Sequence, residues 1–127
     1  ISATIGLCNF KHIEIILEKH KQNALYYNEE LNGVKGIELI KSKNECSYWI
    51  YTIKVKNQKK FMDMMESKGI TVSRIHERND KHSCVKQYKR NLPNLDKLVN
   101  EMICIPVGWW LSKENREYIV DSIKEGW

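Results

Sequence analysis

Apolar positions recur at two different spacings along this chain, and the changes of spacing mark out its elements. The run Ser47-Tyr-Trp-Ile-Tyr-Thr-Ile-Lys-Val55 is aromatic or β-branched almost throughout. Successive side chains on a strand point to opposite faces. The run therefore places Trp49, Tyr51, Ile53 and Val55 on one apolar face, and Tyr48, Ile50, Thr52 and Lys54 on a mixed one. It reads as the central strand of a sheet, with one face fully buried. Gly36-Ile-Glu-Leu-Ile-Lys41 repeats the period of two ahead of the polar turn Ser42–Glu45, which predicts a first strand able to form a hairpin with it. Ile70–Ile75 returns as a third strand. Met102-Ile-Cys-Ile-Pro106 reads as a buried edge strand, ended by a residue with no N–H to give to a ladder.

Between these runs the period lengthens to that of a helix. From Ile1 to Leu31 the residues Leu7, Phe10, Ile13, Leu17, Leu25 and Leu31 roughly follow helical spacing, without a Pro, up to the stop Asn32-Gly33. One long N-terminal helix is predicted, with Gly6 as the point where it would bend. Ile1 to Phe10 is apolar on nearly all sides, which calls for packing against further protein. Asn57 is placed to cap a helix running to about Met65, with Phe61, Met62 and Met65 on one face and Gly69 as its stop. Methionines at this spacing fill cores more often than they form adaptable binding surfaces. After Leu92-Pro93, Asn94 is placed to cap a short helix to about Glu101. Ser112, followed by Glu114 and Asn115, opens a last helix whose inward face carries Tyr118, Ile119 and Ile123. The order α-β-β-α-β-α-β-α is that of an α+β fold, a small and largely antiparallel sheet of about four strands flanked by helices.

At 127 residues the chain suits one domain, residues 1–127, burying roughly two-thirds of its unfolded surface. No apolar run approaches the ~20 residues that span a bilayer. Ile1–Phe10 lacks the basic start and small-residue cleavage site of a signal peptide, and the chain opens on Ile rather than Met, so it reads as part of a longer protein. Cys8, Cys46, Cys84 and Cys104 form no Cys-x-x-Cys pair and are expected to be reduced, mostly buried thiols, which points to the cytoplasm. The net charge of +5 gathers in Lys54–Lys60 and Lys86–Arg90 and permits a phosphate-bearing partner, although a solvated Lys-rich surface accounts for the same pattern.

The chemically varied stretch is His76-Glu-Arg-Asn-Asp-Lys-His-Ser83, leaving the end of a predicted strand where α/β sheets often hold ligands. A solvated loop with an Asn-Asp turn is the plainer reading of it. His76, His82 and Cys84 lack the third orienting group of a cysteine enzyme. With Asp80 they also lack a usual zinc spacing. No glycine-rich phosphate loop, Gly-x-Ser-x-Gly or His-Glu-x-x-His is present, so no catalytic residue and no metal ligand is assigned. A different class remains open, a stand-alone basic module that stacks nucleic acid on Trp49 and Tyr51, although an RNA-recognition strand would carry a Lys/Arg-Gly-aromatic pattern that is absent here.

Taken together, the landmarks of the chain resemble the C-terminal small domain of the sugar-nucleotide aminotransferases of the DegT/StrS type, pyridoxal-phosphate enzymes of fold type I. Ile1-Ser-Ala-Thr-Ile-Gly-Leu7 resembles that family's Ala-x-Ile-Gly-Leu segment, and Tyr27 to Leu31 its Tyr-x-x-x-Leu close. Tyr48–Val55 resembles the following strand, Phe61–Ile70 the Phe-x-x-x-Leu/Met-x-x-x-Gly-Ile helix and turn, and Leu92-Pro93 and Ile105-Pro106 the two Leu-Pro-like landmarks.

The resemblance implies that the cofactor-binding lysine lies in a large domain outside this sequence. There pyridoxal phosphate is the electron sink while an amino group moves from a donor such as glutamate to a nucleotide-linked keto sugar. It implies a homodimer, and a small domain that touches substrate but is inactive alone. Where the family often has His-Tyr-x-Pro-Leu-His, this chain has Ile75-His-Glu-Arg-Asn-Asp-Lys-His82, with the two His kept and the Pro-Leu replaced by charge. By that correspondence His76, Arg78 and His82 are expected to bind substrate, Arg78 gripping a phosphate bidentately.

Overall fold

The structure, a computed structural model, describes residues 1–40 and 46–127. The turn expected at Ser42–Glu45 lies outside the described residues. Strand β2 (Tyr51–Val55) is the middle of a three-stranded antiparallel sheet, between β1 (Ile37–Leu39) and β3 (Met102–Ile105). Its register sets Ile53 opposite both Leu39 and Ile103, and Tyr51 opposite Ile105. The alternation expected of it holds, with Tyr51, Ile53 and Val55 buried and Thr52 and Lys54 half-buried. Trp49 departs from that expectation. The strand begins only at Tyr51 because Tyr48 takes a left-handed conformation (φ 49°), and this turns the preceding residues off the sheet's line and leaves Trp49 66% exposed.

Among the described residues the sheet has three strands, not about four. Ile70–Ile75 contributes a single antiparallel bridge, in which Ser73 and Cys104 exchange both backbone hydrogen bonds, at 3.2 and 2.8 Å, on the free side of β3. Beyond Ser73 the chain turns away toward a polar stretch that has no apolar face to lay on the sheet.

The N-terminal helix is two helices. α1 (Ser2–Phe10) and α2 (Ile13–Glu30) are separated by a tight turn at Lys11–His12, where the His12 N–H donates to the Asn9 carbonyl at 2.9 Å, and Gly6 lies inside α1 without breaking it. α1 buries none of its residues, and Ile5, Leu7 and Phe10 stand exposed. α3 (Gln58–Ser67) brings Phe61 and Met65 into the core and ends as expected at Gly69. There Ile70 N–H donates to Met65 and Gly69 N–H to Glu66, both at 2.9 Å, the double closure that a left-handed glycine (φ +72°) allows. Asn57 opens this helix without a side-chain cap. It is itself left-handed, which Asn tolerates, and its carbonyl accepts from Phe61 N–H.

α4 (Pro93–Glu101) starts two residues earlier than expected. Pro93 occupies the first helical position, where its missing N–H costs nothing, so Leu92 and not Asn94 is the capping residue. In α5 (Lys113–Lys124) the Ser112 hydroxyl accepts the Asn115 N–H at 3.1 Å, as the spacing predicts. Its inward face is Ile119, Val120 and Ile123, while Tyr118 is turned half out and donates to the Lys68 carbonyl at 3.2 Å. One core joins these faces: Tyr27 and Leu31 of α2, Ile53 and Val55 of β2, Phe61 and Met65 of α3, Ile103 and Ile105 of β3, and α5. Of the cysteines only Cys104 is buried; Cys8, Cys46 and Cys84 are exposed, against expectation.

Candidate functional site

The polar stretch predicted to carry chemistry folds as two short 3-10 turns, Asn79–Lys81 and Ser83–Tyr88. Arg78 organises it. Its Nε and Nη2 donate to the two carboxylate oxygens of Asp80 at 2.8 and 2.5 Å, and its Nη1 donates to Asp96 in the first turn of α4. An acidic side chain is favoured at that helix end, and here it also receives the guanidinium. The Arg78 side chain is only 10% exposed. The two-pronged edge expected to grip a phosphate is thus occupied by Asp80, and the residue fastens the loop to α4. Hydrogen bonding and charge from Arg78 hold the Asp80 carboxyl below the usual carboxylate range. Beside it, Lys81 donates to Glu77 at 2.9 Å and Arg74 pairs with Glu77 at 3.0 Å. This holds that carboxyl low as well, the Lys81 hydrogen bond being the larger cause.

His76 and His82 are exposed, and no hydrogen bond or ion pair among the described residues joins them to each other or to Arg78. The His76 ring lies 6.2 Å from that of Trp49. Among the described residues no group of three or more His, Cys, Asp and Glu could hold a metal ion.

A cleft of about 330 Å³ that the sequence reading missed opens beside this loop. Trp49, Ser73, Ile75, Pro106, Val107 and Trp110 are among the residues that line it. Trp110, 67% exposed, and Trp109 lie between β3 and α5, their rings 6.1 Å apart and nearly perpendicular. The available signal was the pair Trp109-Trp110 directly after Gly108, outside any period that would bury it.

Beneath the cleft a polar network holds its floor. Asn23 Nδ2 donates to the Val107 and Gly108 carbonyls at 3.1 and 3.0 Å, and Asn23 Oδ1 accepts from Arg116 at 3.2 Å. Arg116 in turn stacks 4.2 Å over the ring of Tyr26.

The profile of the DegT/DnrJ/EryC1/StrS aminotransferase family matches residues 1–124. The fold is similar to that of AtS13 from Actinomadura melliaura, with 40% identity and a TM-score of 0.95 over 98% of this chain and 34% of that one. It is also similar to the sugar aminotransferase CalS13 from Micromonospora echinospora, with 38% identity and a TM-score of 0.93 over 97% of this chain and 34% of that one. DesV from S. venezuelae, solved with a ketimine intermediate, shares the fold at 15% identity and a TM-score of 0.90, over 97% of this chain and 35% of that one. The chain therefore spans about a third of the length of these proteins. No curated protein sequence matches.

Proposed function

Because this chain belongs to the DegT/DnrJ/EryC1/StrS aminotransferase family, we propose that it is the C-terminal small domain of a pyridoxal-phosphate-dependent aminotransferase acting on a nucleotide-linked keto sugar. The observation that carries this reading is near-superposition, at 40% and 38% identity, on one third of two solved proteins, one of them named a sugar aminotransferase.

Pyridoxal phosphate supplies the electron sink for amino transfer and is held through a lysine whose amino group is desolvated and oriented. The residues present here do not fit that role. Among the described residues no lysine is buried, and several are committed to surface carboxylates, as Lys59 is to Asp63 and Lys124 to Glu30. The cofactor lysine accordingly belongs to the large domain.

This chain's own residues bind and position. His76 and His82 present ring nitrogens able to donate to a sugar hydroxyl or a phosphate oxygen. Arg78, the third of the expected substrate residues, sets the shape of the loop that carries them. The exposed apolar side of α1 serves packing against the large domain and a second copy in a homodimer, since apolar area of this kind is costly to leave in water. The exposed thiols Cys8, Cys46 and Cys84 fit a reducing compartment, the cytoplasm.

The test is kinetic, in the intact enzyme. His76→Ala and His82→Ala should raise the apparent KM for the sugar nucleotide, by a loss on the order of 1.5–3 kcal/mol where the ring donates to a charged group. Cofactor binding should be unchanged. Constants within about twofold of wild type, a difference of ~0.4 kcal/mol, would remove the loop from the substrate site.

A further inference from the structure

We propose that the cleft between Trp49 and Trp110 is a stacking subsite for the nucleobase of the sugar nucleotide. This rests on the reading of the chain as part of an enzyme that acts on nucleotide-linked sugars.

Trp110 is built as a platform. A Cβ added to Gly108 would come within 2.3 Å of Cη2 and Cζ2 of the Trp110 ring, so the indole is seated on the glycine backbone and a larger residue at position 108 would displace it. The His20 ring packs nearly perpendicular to it, with ring centroids 6.4 Å apart and the planes at 86°. The backbone that bears it is anchored in turn: Asn23 holds the Val107 and Gly108 carbonyls, and the Tyr27 hydroxyl donates to the Pro106 carbonyl at 2.8 Å. A flat aromatic surface fixed from below and two-thirds exposed is preorganised for stacking, because little conformational freedom is lost when a second ring lies on it.

Trp49 forms the other wall. It stands 66% exposed off the end of β2 and contacts His76, so the cleft is continuous with the loop proposed to meet the sugar. Its size, about 330 Å³, lies at the lower end for small-molecule sites. The lining also has their usual character, apolar surface from Ile75, Pro106 and Val107 beside two hydroxyl-bearing residues, Thr71 and Ser73, of the kind that meets the edge of a base. A base presents two apolar faces and a polar rim, and Trp walls with hydroxyl-bearing residues in the lining complement both.

The intact enzyme is titrated by calorimetry with UDP, dTDP and ADP, and with inorganic pyrophosphate as the ligand without a base. At least one nucleotide should bind about tenfold or more tightly than pyrophosphate. Trp110→Ala should remove that advantage, Trp110→Phe should keep part of it, and Gly108→Ala, which retains the indole but displaces it, should weaken binding too. The subsite is overturned if pyrophosphate binds as well as every nucleotide, or if Trp110→Ala binds nucleotide like wild type. The latter result accompanied by a lower unfolding temperature would identify the cleft as a packing surface for the large domain. Preference for a single-stranded oligonucleotide, with steeply salt-dependent affinity, would also overturn it. Amino transfer is measured in parallel to separate the two readings. Trp110-dependent nucleotide binding without any transfer to a nucleotide-linked keto sugar sinks the proposed function and leaves the subsite standing; transfer with an unchanged KM in Trp110→Ala does the reverse.

Discussion

The hydroxyl of Tyr27, a fully buried residue of α2, donates to the carbonyl oxygen of Pro106, 79 residues away, at 2.8 Å. Pro106 closes β3, and this bond joins the long helix to the end of the sheet. Burial pushes the Tyr27 hydroxyl well above the usual tyrosine range, so it stays a donor at any pH the fold meets. Tyr27→Phe leaves the Pro106 carbonyl without this donor and should cost about 1–3 kcal/mol by urea unfolding. Tyr51→Phe loses a bond to Asn28 at 2.6 Å, but Tyr51 keeps 5% exposure against 0% for Tyr27, so water replaces its partner more readily and its cost should be smaller. The reverse order would mean that the Tyr27 bond does not tie the helix to the sheet.

Gly36 and Trp127 set a second test. Gly36 has φ +91°, and an added Cβ would lie 2.9 Å from the Trp127 ring, which is itself placed by a hydrogen bond from Nε1 to the Lys56 carbonyl at 2.6 Å and by an edge contact on Phe61. Gly36→Ala should therefore combine left-handed strain with a clash and cost about 1–3 kcal/mol. Gly33→Ala, at φ +80° with open space around it, should carry the strain alone and cost less. In a double-mutant cycle Trp127→Ala should relieve part of the Gly36→Ala penalty; strict additivity would show that the ring gives way freely.

The Arg78–Asp80 pair predicts a direction with pH. Asp80 has a folded-state pKa below its ordinary value of 3.8, so its contribution is present above that value and is lost as pH falls through the depressed one. Arg78 stays charged throughout. The stability gap between wild type and Asp80→Asn should thus be constant from pH 8 to 5 and close below about pH 4. A gap that instead widens toward acid would show that Asp80 is not stabilised as the anion.

This chain by itself should neither hold pyridoxal phosphate at a defined site nor transfer amino groups, since no described lysine has a buried setting. Absorbance at the Schiff-base band, compared with a generic lysine-rich protein, is the measurement. Saturable binding at one lysine would contradict the proposed division of labour between this chain and a large domain.

Much of the architecture follows from short-range physics and was legible in the residues. The central strand, the helix stop at Gly69 and the Ser112 cap depend on a period of two, on a left-handed glycine and on a hydroxyl beside open N–H groups. Each of these is satisfied within a few residues. What depends on distant partners was not legible. Ile70–Ile75 has the composition of a strand, but whether it forms a ladder or one bridge is decided at Cys104. Trp49 keeps its parity with Tyr51 in the sequence and still leaves the core, because Tyr48 turns the backbone. The Arg78 guanidinium reads as free in the sequence, yet Asp96, 18 residues on, takes part of it once α4 has docked. Local pattern determines the elements because backbone conformation answers to neighbours. The site was left to the tertiary structure, since only chain closure could seat Trp110 on Gly108, bring Trp49 into the same cleft and commit a charge to one partner rather than another.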